Sequence, residues 1–150
     1  MVRLCLAALL ASAAACTPPG TALTDADVRT LGTATLGLAP YDGALETPLD
    51  GVNALWAATL GDARGPVPHV DYYYVSGAPI WDDDARWAAL VARTDSALGA
   101  KGWERTPEGE VGGSVNAWQG AGQRLALGRV AFPGDSTGYV VLLGVGDRAR

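Results

Sequence analysis

The sequence predicts an α+β fold, in which a mainly antiparallel sheet with a C-terminal β-meander carries helices packed on one face. Three segments favour this class: a Tyr- and Val-rich run at residues 70–75, an amphipathic stretch at residues 82–98, and an apolar run at residues 139–145. The first and third have the composition of strands, and the second has the spacing of a helix. In chain order, the predicted elements are α-α-β-α-β-β-β.

The first predicted helix begins after Thr24, a residue type that caps helix N-termini, with Asp27 at the third helical position to complete a capping box. Leu23 and Val28 have the spacing of a hydrophobic staple across this cap. We expect the helix to be short because Gly32 weakens its continuation.

The middle of the chain is predicted to contain a turn, a helix, a strand and a further helix. Residues 39–43 (APYDG) have the composition of a turn. A second helix begins at Asp50 and ends at Gly61, with apolar residues at helical spacing: Val52, Leu55, Trp56 and Leu60. Residues 70–75 (VDYYYV) form a strand. The third helix starts at the acidic run 82–84 and buries one stripe: Trp87, Leu90, Val91, Thr94 and Leu98.

The C-terminal third is predicted to consist of strands. Residues 103–106 form a short strand, and a meander follows at residues 115–118, 124–132 and 139–145. The last of these segments (YVVLLGV) is apolar on both of its faces. We therefore expect it to be a covered, central strand.

Residues 1–16 (MVRLCLAALLASAAAC) have the layout of a secretory signal peptide. Arg3 gives a short, positively charged start, residues 4–15 carry no charge, and small residues crowd positions 11–15. The apolar run is too short to span a bilayer.

The last four residues of this segment, Ala13-Ala14-Ala15-Cys16, resemble the lipobox of bacterial lipoproteins, in which a cysteine after small residues is lipidated and becomes the mature N-terminus. The third residue before the cysteine, usually Leu in that family, is Ala13 here. The resemblance implies a signal peptide at residues 1–15, a lipidated N-terminus and tether at residues 16–22, and a single domain at residues 23–150. An ordinary signal peptide cut near Cys16 is the alternative.

The charge balance restricts the partners. The chain has 11 Lys and Arg against 16 Asp and Glu, so that loss of Arg3 would leave a net charge of −6 with the single histidine neutral. Nucleic acids need clustered Lys and Arg, and we expect no nucleic-acid partner. The expected partners are the membrane, through the N-terminal lipid, and an envelope protein or a small ligand. The expected location is the cell membrane or outer membrane, facing the periplasm or the cell exterior.

The scarcity of reactive residues restricts the chemistry. Cys5 lies in the signal peptide and Cys16 is the proposed lipid acceptor, which leaves neither a thiol nucleophile nor a disulfide pair. A single histidine excludes a multi-histidine zinc site within one chain. We therefore expect no metal and no cofactor.

The histidine, His69, has two interpretations. It is either a surface residue at a strand end or a general base oriented by Asp71. The second interpretation requires a nucleophile such as Ser76 or Ser136 nearby.

The candidate ligand-binding residues lie in an acidic and aromatic region at positions 71–84. Carboxylates beside aromatic rings can hold a sugar, and carboxylates alone can bind Ca²⁺. We favour a structural interpretation, in which the acidic run starts a helix and the tyrosines pack half-buried on a strand. The candidate residues are Asp71, Tyr72, Tyr74, Trp81, Asp82 and Asp84.

Together these observations favour a lipid-anchored bacterial envelope protein with a non-enzymatic binding or assembly domain. The alternative is a small ligand- or carbohydrate-binding module, or a hydrolase, that uses the region 71–84.

Overall fold

The structure, a computed structural model, describes residues 20–41, 69–76, 84–111, 115–131 and 138–147. The predicted α+β fold is confirmed. The predicted helix at residues 50–60 and the predicted signal peptide lie outside the described residues. The elements are α1 (Asp25–Thr30), a π-helical turn (Leu31–Thr35), β1 (Ala39–Pro40), β2 (His69–Ser76), α2 (Asp84–Gly99), β3 (Glu104–Val111), β4 (Val115–Gly120), β5 (Gln123–Ala131) and β6 (Gly138–Asp147).

Helix α1 begins where the sequence predicts. The Thr24 hydroxyl accepts a hydrogen bond from the Asp27 amide at 3.2 Å, and an Asp27 carboxylate oxygen accepts one from the Thr24 amide at 2.9 Å. This reciprocal pair is a capping box. The hydrogen bonds from the Thr24 side chain and backbone lower the pKa of Asp27 because they favour the ionised carboxylate. Leu23 and Val28, the predicted staple pair, are both buried.

The sheet has the strand order β1-β2-β6-β5-β4-β3, and every pair of neighbours is antiparallel. Strands β4 to β6 form the predicted meander, and β3, predicted as a separate short strand, pairs with β4. A two-residue turn joins β4 to β5 through Ala121 and Gly122, whose φ angles of 50° and 77° are those of a type I′ hairpin. Residues 138–145 of β6 are buried, which confirms the prediction of a covered, central strand.

The two edge strands differ from the prediction. Strand β1 lies where the sequence predicts a turn, and the Tyr41 amide extends its pairing by donating to the Tyr72 carbonyl at 2.9 Å. Pro40 is tolerated because an edge strand needs fewer amide donors. Strand β3 runs five residues beyond Thr106, the predicted end, and its register against β4 shifts after that residue. The shift lies between Thr106 and Val111, a stretch that includes Pro107, a residue with no amide proton to donate to a neighbouring strand.

Helix α2 packs on the same face of the sheet as α1, and its predicted stripe is confirmed. The buried side chains are Trp87, Leu90, Val91, Thr94 and Leu98. Polar contacts fix the helix at two points. The Arg129 guanidinium lies 5.2 Å from the centre of the Trp87 ring and 2.6 Å from an Asp84 carboxylate oxygen. Farther along the helix, the Trp118 indole donates to the Asp95 carboxylate at 2.7 Å.

The opposite face of the sheet is buried as well. Val70 and Tyr72 pack, half-buried, against the apolar side chains of this face, and burial raises the pKa of Tyr72. The described helices lie on the first face, as predicted. The buried apolar residues of this opposite face are Val115, Ala117, Ala126, Val140 and Leu142.

The segment before α1, which we call the lead-in (residues 20–23), is attached to the fold. The Thr21 amide donates to the Lys101 carbonyl at 3.0 Å, and the Trp103 indole donates to the Thr21 carbonyl at 2.8 Å. Both partners lie where α2 gives way to β3.

A second attachment of the lead-in comes from β5. The Gln123 side-chain oxygen accepts from the Leu23 amide at 2.7 Å, and the Gln123 side-chain nitrogen donates to the Leu23 carbonyl at 3.1 Å. One amide side chain therefore satisfies both backbone groups of a residue just before the helix. Residues 20–22, the end of the predicted tether, are held against the fold.

We expect Trp87→Ala to lower the free energy of unfolding by about 3–5 kcal/mol, because it empties a buried aromatic site and removes the ring beneath Arg129. Ala88→Ser at the next, exposed position is the control and should change stability by less than about 0.5 kcal/mol. Urea unfolding of the three proteins measures both effects. A loss below about 1 kcal/mol for Trp87→Ala would contradict the assignment of this ring to the core.

Candidate functional site

The predicted ligand-binding residues of β2 lie on opposite faces of the sheet. Side chains alternate along a strand, so Asp71 shares the helix-covered face with His69 and Tyr73, whereas Tyr72 and Tyr74 belong to the other face. The structure therefore does not bring Asp71 together with the two tyrosines that precede and follow Tyr73. This separation follows from the alternation of side chains along a strand, and it does not depend on the conformation of the adjoining loops.

The other predicted residues divide between described and undescribed positions. Asp84 is the first residue of α2 and pairs with Arg129, which is only 10% exposed in its side chain. Trp81 and Asp82 lie outside the described residues. Asp84 therefore helps to attach α2 to the sheet. That Asp84 shares a binding site with Trp81 and Asp82 stays a prediction.

A different polar cluster forms where α1 meets β2. Asp25 and Arg29 are four residues apart on α1, so both side chains lie on one face of the helix. His69, Asp71 and Tyr73 are alternate residues of β2 and line the adjacent strip of the sheet. We call these five residues the α1–β2 cluster.

Asp71 is the centre of the α1–β2 cluster. One of its carboxylate oxygens lies 3.2 Å from Nε2 of His69 and accepts a long hydrogen bond of 3.5 Å from the Tyr73 hydroxyl. The other oxygen lies 3.7 Å from the Arg29 guanidinium. The side chain is only 16% exposed, and its charge is balanced by a cation that is itself mostly in solvent.

His69 lies between two carboxylates. Its Nδ1 is 3.5 Å from Asp25, and its Nε2 faces Asp71. Nε2 is shut off from solvent and makes no hydrogen bond among the described residues, although the Asp71 carboxylate lies 3.2 Å away. With a side chain 22% exposed, His69 lies at a strand end as predicted but is half-buried, which corrects its interpretation as a surface residue.

The Tyr73 phenol is the buried member of the cluster, with 1% of the residue exposed. Burial raises its pKa to about 12, and the nearby negative charge of Asp71 acts in the same direction, whereas Arg29 opposes the rise. The ring packs on the backbone of the π-helical turn at Gly32. A Cβ at that position would overlap the Tyr73 ring and hydroxyl, so only glycine admits this contact.

The cluster has the groups to bind and to position charge, but the described residues do not place Ser76, one of the two serines predicted as nucleophiles, beside His69. A general base must lie within hydrogen-bonding reach of the group it activates. Ser76 is seven residues along β2 from His69, about 23 Å away. Ser136 lies outside the described residues. Among the described residues, no group of three His, Cys, Asp or Glu side chains is placed to hold a metal ion.

Half of this cluster carries a sequence signal. His69, directly before the predicted strand 70–75, alternates with Asp71 and Tyr73 within it, which would place three polar groups on one face. The spacing of Asp25 and Arg29 indicates only that they share one face of a helix. No local sequence pattern indicates that α1 packs beside β2.

Comparisons with known proteins found no similarity to this chain. No family model, no curated protein and no solved structure matches it. The function must therefore be argued from the residues themselves.

We expect Gly32→Ala to lower the free energy of unfolding by about 1–3 kcal/mol, because the added methyl group overlaps the Tyr73 phenol and forces the π-helical turn off the sheet. Gly99→Ala is the matched control, since a methyl group there meets no atom within 4 Å and the position is helical. The control should leave stability unchanged or raise it by up to about 1 kcal/mol. Equal stability of the two variants in urea unfolding would contradict the packing.

We expect the alkaline loss of stability to be smaller in Tyr73→Phe than in the wild type. The folded pKa of about 12 exceeds the unfolded value of 10.0, so the native state keeps a proton that the unfolded chain releases. This contribution is fully present below pH 10 and is lost as the pH rises to about 12. It amounts to about 2–3 kcal/mol.

Urea unfolding of both proteins between pH 8 and about 11.5 measures this difference, and comparison at the lowest pH separates it from the loss of the hydroxyl contact. Parallel curves across the whole range would show that Tyr73 does not contribute.

Proposed function

We propose that this protein is a lipid-anchored component of the bacterial cell envelope, whose α+β domain binds or assembles with another envelope component. The observation that carries the proposal is the short distance in sequence between the signal-like segment and the first residue of the folded domain. Cys16 precedes Gly20, the first described residue, by four positions, and the lead-in is hydrogen-bonded from Thr21 onward. Such an arrangement suits a chain held close to a surface by its mature N-terminus.

The sequence after the apolar run supports a lipid as the means of attachment. No described helix has the length and apolar character needed to cross a membrane. The sequence offers Cys16 directly after the apolar run, and several acyl chains on one cysteine would hold the protein stably.

The α1–β2 cluster supports binding rather than catalysis. Asp25 and Arg29 expose 73% and 66% of their side chains, so they offer both signs of charge to a partner. His69 and Asp71 lie beside them and are less exposed, and Ser76, the described serine that could act as a nucleophile, is about 23 Å from His69 along β2. We therefore assign the cluster to recognition of a polar or charged partner surface. The alternative site at residues 71–84 receives no support from the placement of Tyr72 and Tyr74.

We expect Cys16→Ala to move the protein from the membrane fraction to a soluble exported fraction, because the substitution removes the lipid acceptor. Cys5→Ala, which alters the other cysteine within the apolar run, is the matched control and should stay in the membrane fraction. Mass spectrometry of the mature N-terminal peptide reads the acylation directly. A wild-type protein found in the soluble fraction would refute lipid anchoring, and a membrane-bound Cys16→Ala would require a different anchor.

A further inference from the structure

We propose that one end of the sheet faces the bilayer, an inference that rests on the proposed lipid anchor at Cys16. We call this end the anchor end. It consists of the lead-in, the turn after α2 at residues 100–102, and the β4–β5 turn at residues 121–122. The partner of this surface is a layer of lipid headgroups.

The position of the lead-in defines the anchor end. The Thr21 amide and carbonyl bond to Lys101 and Trp103, both in or beside the turn after α2. Gly20 packs so tightly on Gly102 that a Cβ there would lie 2.9 Å from the Gly102 carbonyl oxygen. The chain therefore enters the fold at a fixed place.

The length of the remaining chain limits how far the anchor end can move from the lipid. Gly20 lies four positions after Cys16, and a fully extended chain over four positions spans at most about 14 Å. Helix α2 has 16 residues and a length of about 24 Å, and it ends at the anchor end. Its first turn, at Ala85, is therefore farther from the lead-in than the tether can reach.

Charge at the anchor end is mixed, so the tether rather than electrostatic attraction sets the orientation. Lys101 is the exposed cation of the turn, and its ammonium lies 4.0 Å from the Asp27 carboxylate. Such an exposed, partly neutralised pair contributes little attraction to anionic headgroups. We therefore expect the orientation to persist at high salt, which screens exposed charges.

The experiment uses the lipidated, mature protein, which begins at Cys16, and places a single fluorophore at one end of α2 in one variant and at the other end in a second. Ala100→Cys lies at the anchor end and Ala85→Cys at the other end, and both positions are exposed alanines. Each variant is labelled with a thiol-reactive dye and reconstituted into phosphatidylcholine–phosphatidylglycerol vesicles that contain a lipid with a nitroxide headgroup. Because the positions are about 22 Å apart along the helix, we expect at least about twofold stronger quenching at residue 100.

The outcomes separate this inference from the proposed function. The parent protein without an introduced cysteine should take up no dye, because acylation blocks the Cys16 thiol. Labelling of the parent at Cys16 would overturn lipid anchoring and the orientation with it. An unlabelled, membrane-bound parent with equal quenching at both positions, or stronger quenching at Ala85→Cys, would overturn the orientation alone. A difference that disappears at high salt would overturn the tether as its cause.

Discussion

The contact between the Tyr73 phenol and the backbone at Gly32 holds the N-terminal helix against the sheet, and the α1–β2 cluster depends on this contact. A buried aromatic ring can approach a helix this closely only where the side chain is a hydrogen atom. The π-helical turn carries that glycine, and α1 directly precedes it. With the π-helical turn packed on Tyr73, Val28 is fully buried, and Asp25 and Arg29 lie beside β2. The α1–β2 cluster is thus a consequence of one steric fit.

Much of the fold could be predicted from the sequence because local rules govern the elements concerned. The capping box at Thr24 needs only two side chains three positions apart, and the α2 stripe needs only a helical period. The two-sided apolar character of residues 139–145 is likewise a local property. Strand β1 and the extension of β3 could not be predicted. Both contain proline, and both exist because a neighbouring strand supplies the pairing.

The site was less accessible to sequence reasoning. The candidate region 71–84 groups residues that are close in the chain, but the alternation of β2 separates Asp71 from Tyr72 and Tyr74. Asp25 meets His69 across more than forty residues, and only the seating of α1 on the sheet creates that contact. The polar face of β2 could therefore be predicted from its pattern, whereas the charged half on α1 required the tertiary structure.

The bonds between Gln123 and Leu23 have a mechanical consequence under the proposal that Cys16 tethers the chain. A pull on the tether meets the fold at the lead-in, before it reaches α1. Gln123 opens β5, which is paired with β4 on one side and with β6 on the other. The load therefore passes through Thr21 into the turn after α2 and through Leu23 into β5, where the backbone hydrogen bonds of two ladders share it. Tension that would otherwise unfold α1 is thus partly carried by β5, which has a paired strand on each side.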